Sequence, residues 1–364
     1  MKDFMYNFSE DEAEESYPDF FIEWDKAVSE GKKPGFYEPE ELTEIIEIYI
    51  VDNQIKRAKQ AINYALRIYS EDEEILYEIL LMLSDYERWN ELFVICERYK
   101  NDCDVWVDGH RLTALLHLGM EDEAFLLFKK TKTIYAEEAD NLSILYQAMG
   151  EALCEMDLFD SSIEVMQEAI NTLGMNIDFY WQQMICYISM ECKVKVLEVA
   201  EIIQKLDPLN AATWFRLGIA FQDIDDSERA IEAFEYAQSL GDDSEEILMN
   251  MIYTYDKNKN FSKALEKAAQ YLNLHPDSYV ITMMAAKLSS MLENWSEAVK
   301  YVDGALRITP EVTSLYLYKS NFLLQLQEYK KAKLALIEGL EKTKDLQGSL
   351  AKKLKKLNKQ YPDY

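Results

Sequence analysis

One spacing constrains this chain more than any other feature. Ala230, Ala264, Ala298 and Ala332 stand 34 residues apart. Three residues before the last three of them come the aromatics Phe261, Trp295 and Tyr329. Pro276 and Pro310 keep the same interval, Pro208 lies two periods before Pro276, and Asp242 fills the place between. Three marker sets in one phase make the chain a repeat array. A unit of this length is one supersecondary element that buries its apolar face only by stacking on copies of itself. The 364 residues hold only 11 Gly and 7 Pro, too few for a chain of many short strands and turns.

The fullest copy runs Ala211-Ala212-Thr213-Trp214-Phe215-Arg216-Leu217-Gly218-Ile219-Ala220-Phe221, then Ala230, Phe234 and Ala237. Counted from Ala211, positions 4, 7, 8 and 11 share one face of a first helix, and positions 20, 24 and 27 share one face of a second. Small residues at 8 and 20 let an antiparallel pair approach closely while the aromatics fill the space beside them. Proline near the end of a copy stops the second helix.

This pattern resembles the tetratricopeptide repeat. Trp214, Leu217, Gly218, Phe221, Ala230, Phe234 and Ala237 match its positions, and Asp242 departs where the family has proline. The resemblance implies an all-α fold, a right-handed superhelical solenoid of antiparallel helix pairs. Six copies follow without gap, starting at Ser143, Ile177, Ala211, Glu245, Tyr279 and Thr313. Upstream the match weakens. Ala58 and Ala65 mark a copy near 39–72, Trp89, Leu92 and Cys96 one near 73–104, and Gly119, Ala124 and Phe128 one near 105–138, with a few extra residues before the next. The reading is about nine repeats over 39–345, the first three degenerate.

The ends read as caps. Residues 1–38 form an acidic extension, mobile over 1–16, with one helix from Pro18 to Glu30 that carries Phe20, Phe21, Trp24 and Val28 and stops at Gly31. Residues 346–364 form a Lys-rich capping helix and tail, apolar along Leu346, Leu350, Leu354 and Leu357 and basic along Lys352, Lys353, Lys355, Lys356 and Lys359.

The formal net charge is −29. Phosphate neutralisation needs a basic surface, so nucleic acid is excluded as a partner, and anionic membrane surfaces with it. No apolar stretch reaches the roughly 18 residues that span a bilayer, and the opening residues show no basic-then-apolar leader. The five cysteines are widely spaced and form no Cys-x-x-Cys. The expectation is a cytoplasmic protein with reduced thiols and no membrane insertion.

Catalytic signals are absent. There is no Gly-rich phosphate loop, no Gly-x-Ser-x-Gly and no zinc-ligand spacing. His110 and His117 lie seven apart, two helical turns and roughly 10 Å along the axis. The expectation is no enzyme, no metal and no cofactor. One rival puts an enzyme or small-molecule site in the degenerate copies around Trp106, His110 and His117. Another is a structural assembly component that stacks end to end, acidic N-terminus on Lys-rich C-terminus.

The resemblance further implies that positions 2, 5, 9 and 12 of each copy face the concave side. Position 5 reads Gln147, Trp181, Phe215, Met249, Met283 and Leu317, and position 9 includes Tyr253. The expected partner groove is therefore Trp181, Phe215, Met249, Tyr253, Met283, Leu317 and Tyr318. It would take a peptide or helix, with basic charge and apolar anchors, on a monomeric scaffold. The Lys, Asn and Arg set by which some relatives grip a C-terminal carboxylate is missing. Position 5 has no Lys, and only Arg216 and Asn250 fall at position 6.

Overall fold

The computed structural model describes residues 17–70, 72–101, 104–344 and 348–362. The expected mobile stretch 1–16, with Leu346 and Cys103, lies outside the described residues. Within them the chain forms twenty helices and no strand. They are α1 (Asp19–Ser29), α2 (Pro39–Val51), α3 (Ile55–Ile68), α4 (Glu73–Asp85), α5 (Trp89–Tyr99), α6 (Val105–His117) and α7 (Glu121–Ile134). Next come α8 (Ala139–Glu155), α9 (Phe159–Leu173), α10 (Ile177–Ser189), α11 (Lys193–Leu206), α12 (Ala211–Asp223) and α13 (Ser227–Ser239). The last are α14 (Glu245–Lys257), α15 (Phe261–Leu274), α16 (Tyr279–Met291), α17 (Trp295–Ile308), α18 (Thr313–Gln325), α19 (Tyr329–Thr343) and α20 (Ser349–Gln360).

From α2 to α19 the helices alternate as first and second members of hairpins, in the phase the sequence sets. Five first helices, α10, α12, α14, α16 and α18, have 13 residues, but α8 has 17. The extra residues before Ser143 are thus one added turn at the start of α8. The chain divides into two compact units, Met1–Gln182 and Gln183–Tyr364. In the first, α2 packs on α3, α5 on α6, and α6 on α8. In the second, α12 packs on α13, and each second helix packs on the following first helix from α11 to α18.

Each hairpin turn has the same backbone. Its fifteenth residue adopts the left-handed conformation: Asn53, Glu87, Asp157, Glu191, Asp225, Lys259, Glu293 and Gln327, with φ from 55° to 59°, and Gly119 at 75°. Hydrogen bonds close the turn as in a Schellman cap. In the α14–α15 turn the Lys259 N–H donates to the Asp256 carbonyl (3.0 Å) and the Asn260 N–H to the Tyr255 carbonyl (2.8 Å). The first helix is thus capped and the chain reversed within a few residues.

Inside the hairpins, positions 8 and 24 complement each other in size. Gly150 faces Met166 and Gly218 faces Phe234, whereas the bulk is reversed between Met184 with Ala200 and Ile252 with Ala268. All eight residues are buried. One large side chain per layer fills the space that two would overpack.

The ends are closed by single helices. Trp24 of α1 is 1% exposed and lies between the rings of Tyr37 and Tyr64, with centroids at 5.4 and 5.1 Å. Gly31 stops that helix at φ 69°. Leu350 and Leu357 of α20 are buried with Leu315, Tyr316 and Leu336. Because α20 begins 36 residues after α18, it stands where the first helix of one more hairpin would come.

Candidate functional site

The first helices α12 and α14 pack side by side in the second unit. The Gln222 side-chain amide of α12 donates to the Thr254 hydroxyl (2.5 Å) and the Asn250 carbonyl (3.3 Å) of α14. Lys287 of α16 meets Asp256 of α14 at 2.6 Å. These polar ties hold three consecutive first helices in one layer. Lys287 holds position 9 of α16, so the ties leave positions 2, 5 and 9 of α12 and α14, and positions 2 and 5 of α16, to carry other side chains.

Met249 and Tyr253 lie one turn apart on α14 and so share a face; they are 45% and 55% exposed. Phe215 and Ile219 hold the same two positions on α12 and are half-buried, the Phe215 ring 5.8 Å from that of Phe234. On α16, Met283 is half-buried and Val280 is 66% exposed. Large apolar side chains in water at matching positions of adjacent helices form a surface that gains free energy when covered.

Three of the expected residues stand differently. Trp181 is 7% exposed and belongs to the core, not to a groove wall. Leu317 is half-buried against α20: Lys353 donates to its carbonyl (3.3 Å) and also to the Asn321 side chain. The terminal helix therefore covers α18 where the sequence pattern places open groove, and burial lowers the Lys353 pKa. Tyr318 is 40% exposed but stacks on Phe322 of its own helix, centroids 6.3 Å apart. Conversely, Val280, Ile185 (45% exposed) and, in the first unit, Leu81 (56%) are exposed apolar residues not singled out from sequence, although positions 2 and 9 signal them.

Trp106, His110 and His117 all stand on α6, but His117 and Trp106 are engaged with different neighbours. His117 stacks on Trp89 (centroids 3.9 Å, interplanar 6°) and bonds to Glu155 at 2.9 Å. Trp106 is half-exposed beside Tyr77. Burial lowers the pKa of His110, against the raising influence of Asp85 and Asp104. Nearby, burial pushes the Cys96 thiol up to about 12, which keeps it an inert thiol. The Asp108 carboxyl is raised by burial, although it accepts a hydrogen bond from the Tyr135 hydroxyl (2.9 Å). Among the described residues no group of His, Cys, Asp and Glu is placed to hold a metal ion. No described helix is long and apolar enough to cross a membrane.

The hairpins, their common turn and their phase define the described residues as an all-α array of stacked helix hairpins. No family model and no curated protein matches it. Several solved structures resemble it. A tetratricopeptide repeat protein from Parabacteroides merdae is 13% identical, with a TM-score of 0.41 over 75% of this chain and 98% of the other. Naa15/Naa10 bound to HypK-THB gives 18% identity and a TM-score of 0.47 over 77% of this chain and 43% of the other. YrrB, described as having an unusual peptide-binding site, gives 17% and 0.42 over 53% and 97%. Likenesses this distant say nothing of function.

Proposed function

We propose that this chain is a non-catalytic protein-interaction scaffold, and that the first-helix face of α12, α14 and α16 docks a partner peptide or helix. The observation that carries this is the exposure of Met249 and Tyr253 together on one face of α14. Burying them under a partner removes apolar surface from water at roughly 25 cal/mol per Å². Methionine adapts to varied partner shapes, and tyrosine adds a hydrogen-bonding tip. The net charge of −29 favours a basic partner and speeds its approach at low salt. The cytoplasm suits the chain, whose cysteines are widely spaced and form no Cys-x-x-Cys.

The test is affinity purification of the intact chain from its own cells beside a Met249→Asp, Tyr253→Asp variant. Loss of the captured partners, with circular dichroism and melting unchanged, is the expected result. Undiminished capture would refute the assignment of this face.

A further inference from the structure

The second unit also carries a cleft on its second-helix side. α11 and α13 wall it, α12 floors it, and its volume is ≈ 400 Å³. Trp214 and Tyr236 stand with ring centroids 4.3 Å apart, and Leu197 and Phe221 extend the apolar lining. The Trp214 indole N–H donates to the Pro208 carbonyl at 2.8 Å, which fixes the ring. Glu201, Glu232 and Arg229 complete the lining.

The cleft lies where a tie between second helices is missing. In the next interval, Glu235 at position 25 of one copy accepts from Lys263 at position 19 of the following copy, 3.0 Å apart. It also accepts from the Tyr255 hydroxyl, and Lys267 donates to Gln238 at 2.6 Å. These straps tie α13 to α15 across α14. In the α11–α13 interval the same two positions hold Glu201 and Arg229, which could make the same pair. Instead Arg229 turns to Asp226 at the start of its own helix (2.5 Å), and the nearest cation to Glu201 is Lys205 at 3.9 Å. Three repeats on, the pattern recurs. Asp303 pairs with Lys319 and Lys331 with Glu328, each at 2.8 Å. There α17, α18 and α19 enclose a second cleft of ≈ 450 Å³, with Val299 and Leu323 in the places of Leu197 and Phe221.

We propose that the α11–α13 cleft is a separate docking site for a basic segment of a partner protein, one apolar side chain of which packs into the cleft against the touching Trp214 and Tyr236 rings and Leu197. An aromatic-walled depression next to polar rim groups has the anatomy of an anchor pocket. The rim selects charge: Asp226 already neutralises Arg229, and Glu232, with Glu201 held only by a solvent-exposed Lys205 at 3.9 Å, can meet a Lys or Arg beside the anchor. Aromatic faces also attract such cations.

The probe is a labelled synthetic 14-residue amphipathic Leu/Lys helix, titrated with the full chain at low salt and followed by anisotropy. Glu201→Lys with Glu232→Lys should weaken binding at least tenfold, and Tyr236→Ala, which keeps the rim charge, should weaken it several-fold. No effect of the Glu201 and Glu232 reversals overturns the proposal. So does equal weakening by Glu121→Lys with Asp122→Lys in the first unit, which would show attraction to net charge alone. Loss confined to the Met249 and Tyr253 variant assigns the probe to the first-helix face and likewise overturns it.

Discussion

Gly218 and Phe234 are packed so closely that a Cβ on Gly218 would fall 2.6 Å from Cδ1 of the ring. Glycine is unfavourable in a helix by about 1 kcal/mol relative to alanine, so Gly218→Ala alone would stabilise an isolated α12. In the folded chain the ring has to move, and overpacking of this kind costs about 1–3 kcal/mol. Gly218→Ala should therefore lower the urea midpoint of unfolding. Adding Phe234→Val recreates the Ala286 and Val302 pair of a later copy and should recover part of the loss. A double-mutant cycle with no coupling between the two sites would refute the size rule.

The turn residues give a prediction of opposite sign. Lys259 has φ 58°, a conformation that costs an L-residue about 1–2 kcal/mol. Lys259→Gly removes that strain but adds chain entropy to the unfolded state, for a net gain of up to about 1 kcal/mol. Lys259→Val, branched at Cβ, should lose about 1–2 kcal/mol. The check is thermal unfolding of both variants; Val as stable as Gly would sink the argument.

These two sites show what was legible in the sequence and what was not. The 34-residue phase carries the hairpin pairing, because the small residue at position 20 and the pairing of one small with one large residue at positions 8 and 24 are themselves the packing rule. The left-handed turn is hidden, since Asn, Asp, Glu, Lys and Gln occupy it and only Gly119 advertises it. Met249 and Tyr253 are readable as a face, because positions 5 and 9 repeat. Trp181 shares position 5 yet is buried, and Leu317 shares it yet lies under α20. Depth depends on what packs across the helix, which spacing does not encode. The outer cleft is hidden for a further reason: Glu201 and Arg229 read as a pair in sequence, yet Arg229 bonds to Asp226 instead.

His110 ties the stability of the chain to pH. Its pKa is lowered from the ordinary 6.5, chiefly by burial. The folded state therefore prefers the neutral ring. Its contribution is full above the unfolded value of 6.5 and is lost as pH falls from there toward the lowered folded value. Between about pH 7 and about pH 5, urea stability should fall more steeply for the unaltered chain than for His110→Gln. Parallel curves over that window would remove His110 from the account.

The contrast between Trp181 and Tyr253 separates folding from binding. Both occupy positions that point to the partner face by repeat number, yet one is 7% and the other 55% exposed. Removing a buried tryptophan side chain costs about 3–5 kcal/mol, the lost transfer energy plus the cavity left behind. Trp181→Ala should therefore lower the melting temperature by several degrees and weaken partner capture only in proportion to the folded fraction. Tyr253→Ala removes a ring that water already reaches over much of its surface, so stability should stay within about 0.5 kcal/mol. If the ring is an anchor, capture should fall severalfold all the same, because anchors at the centre of an interface carry most of its affinity. Melting curves and capture yields measured on the same two preparations decide the matter. A Tyr253→Ala protein that melts normally and still holds its partner fully would take Tyr253 out of the docking face.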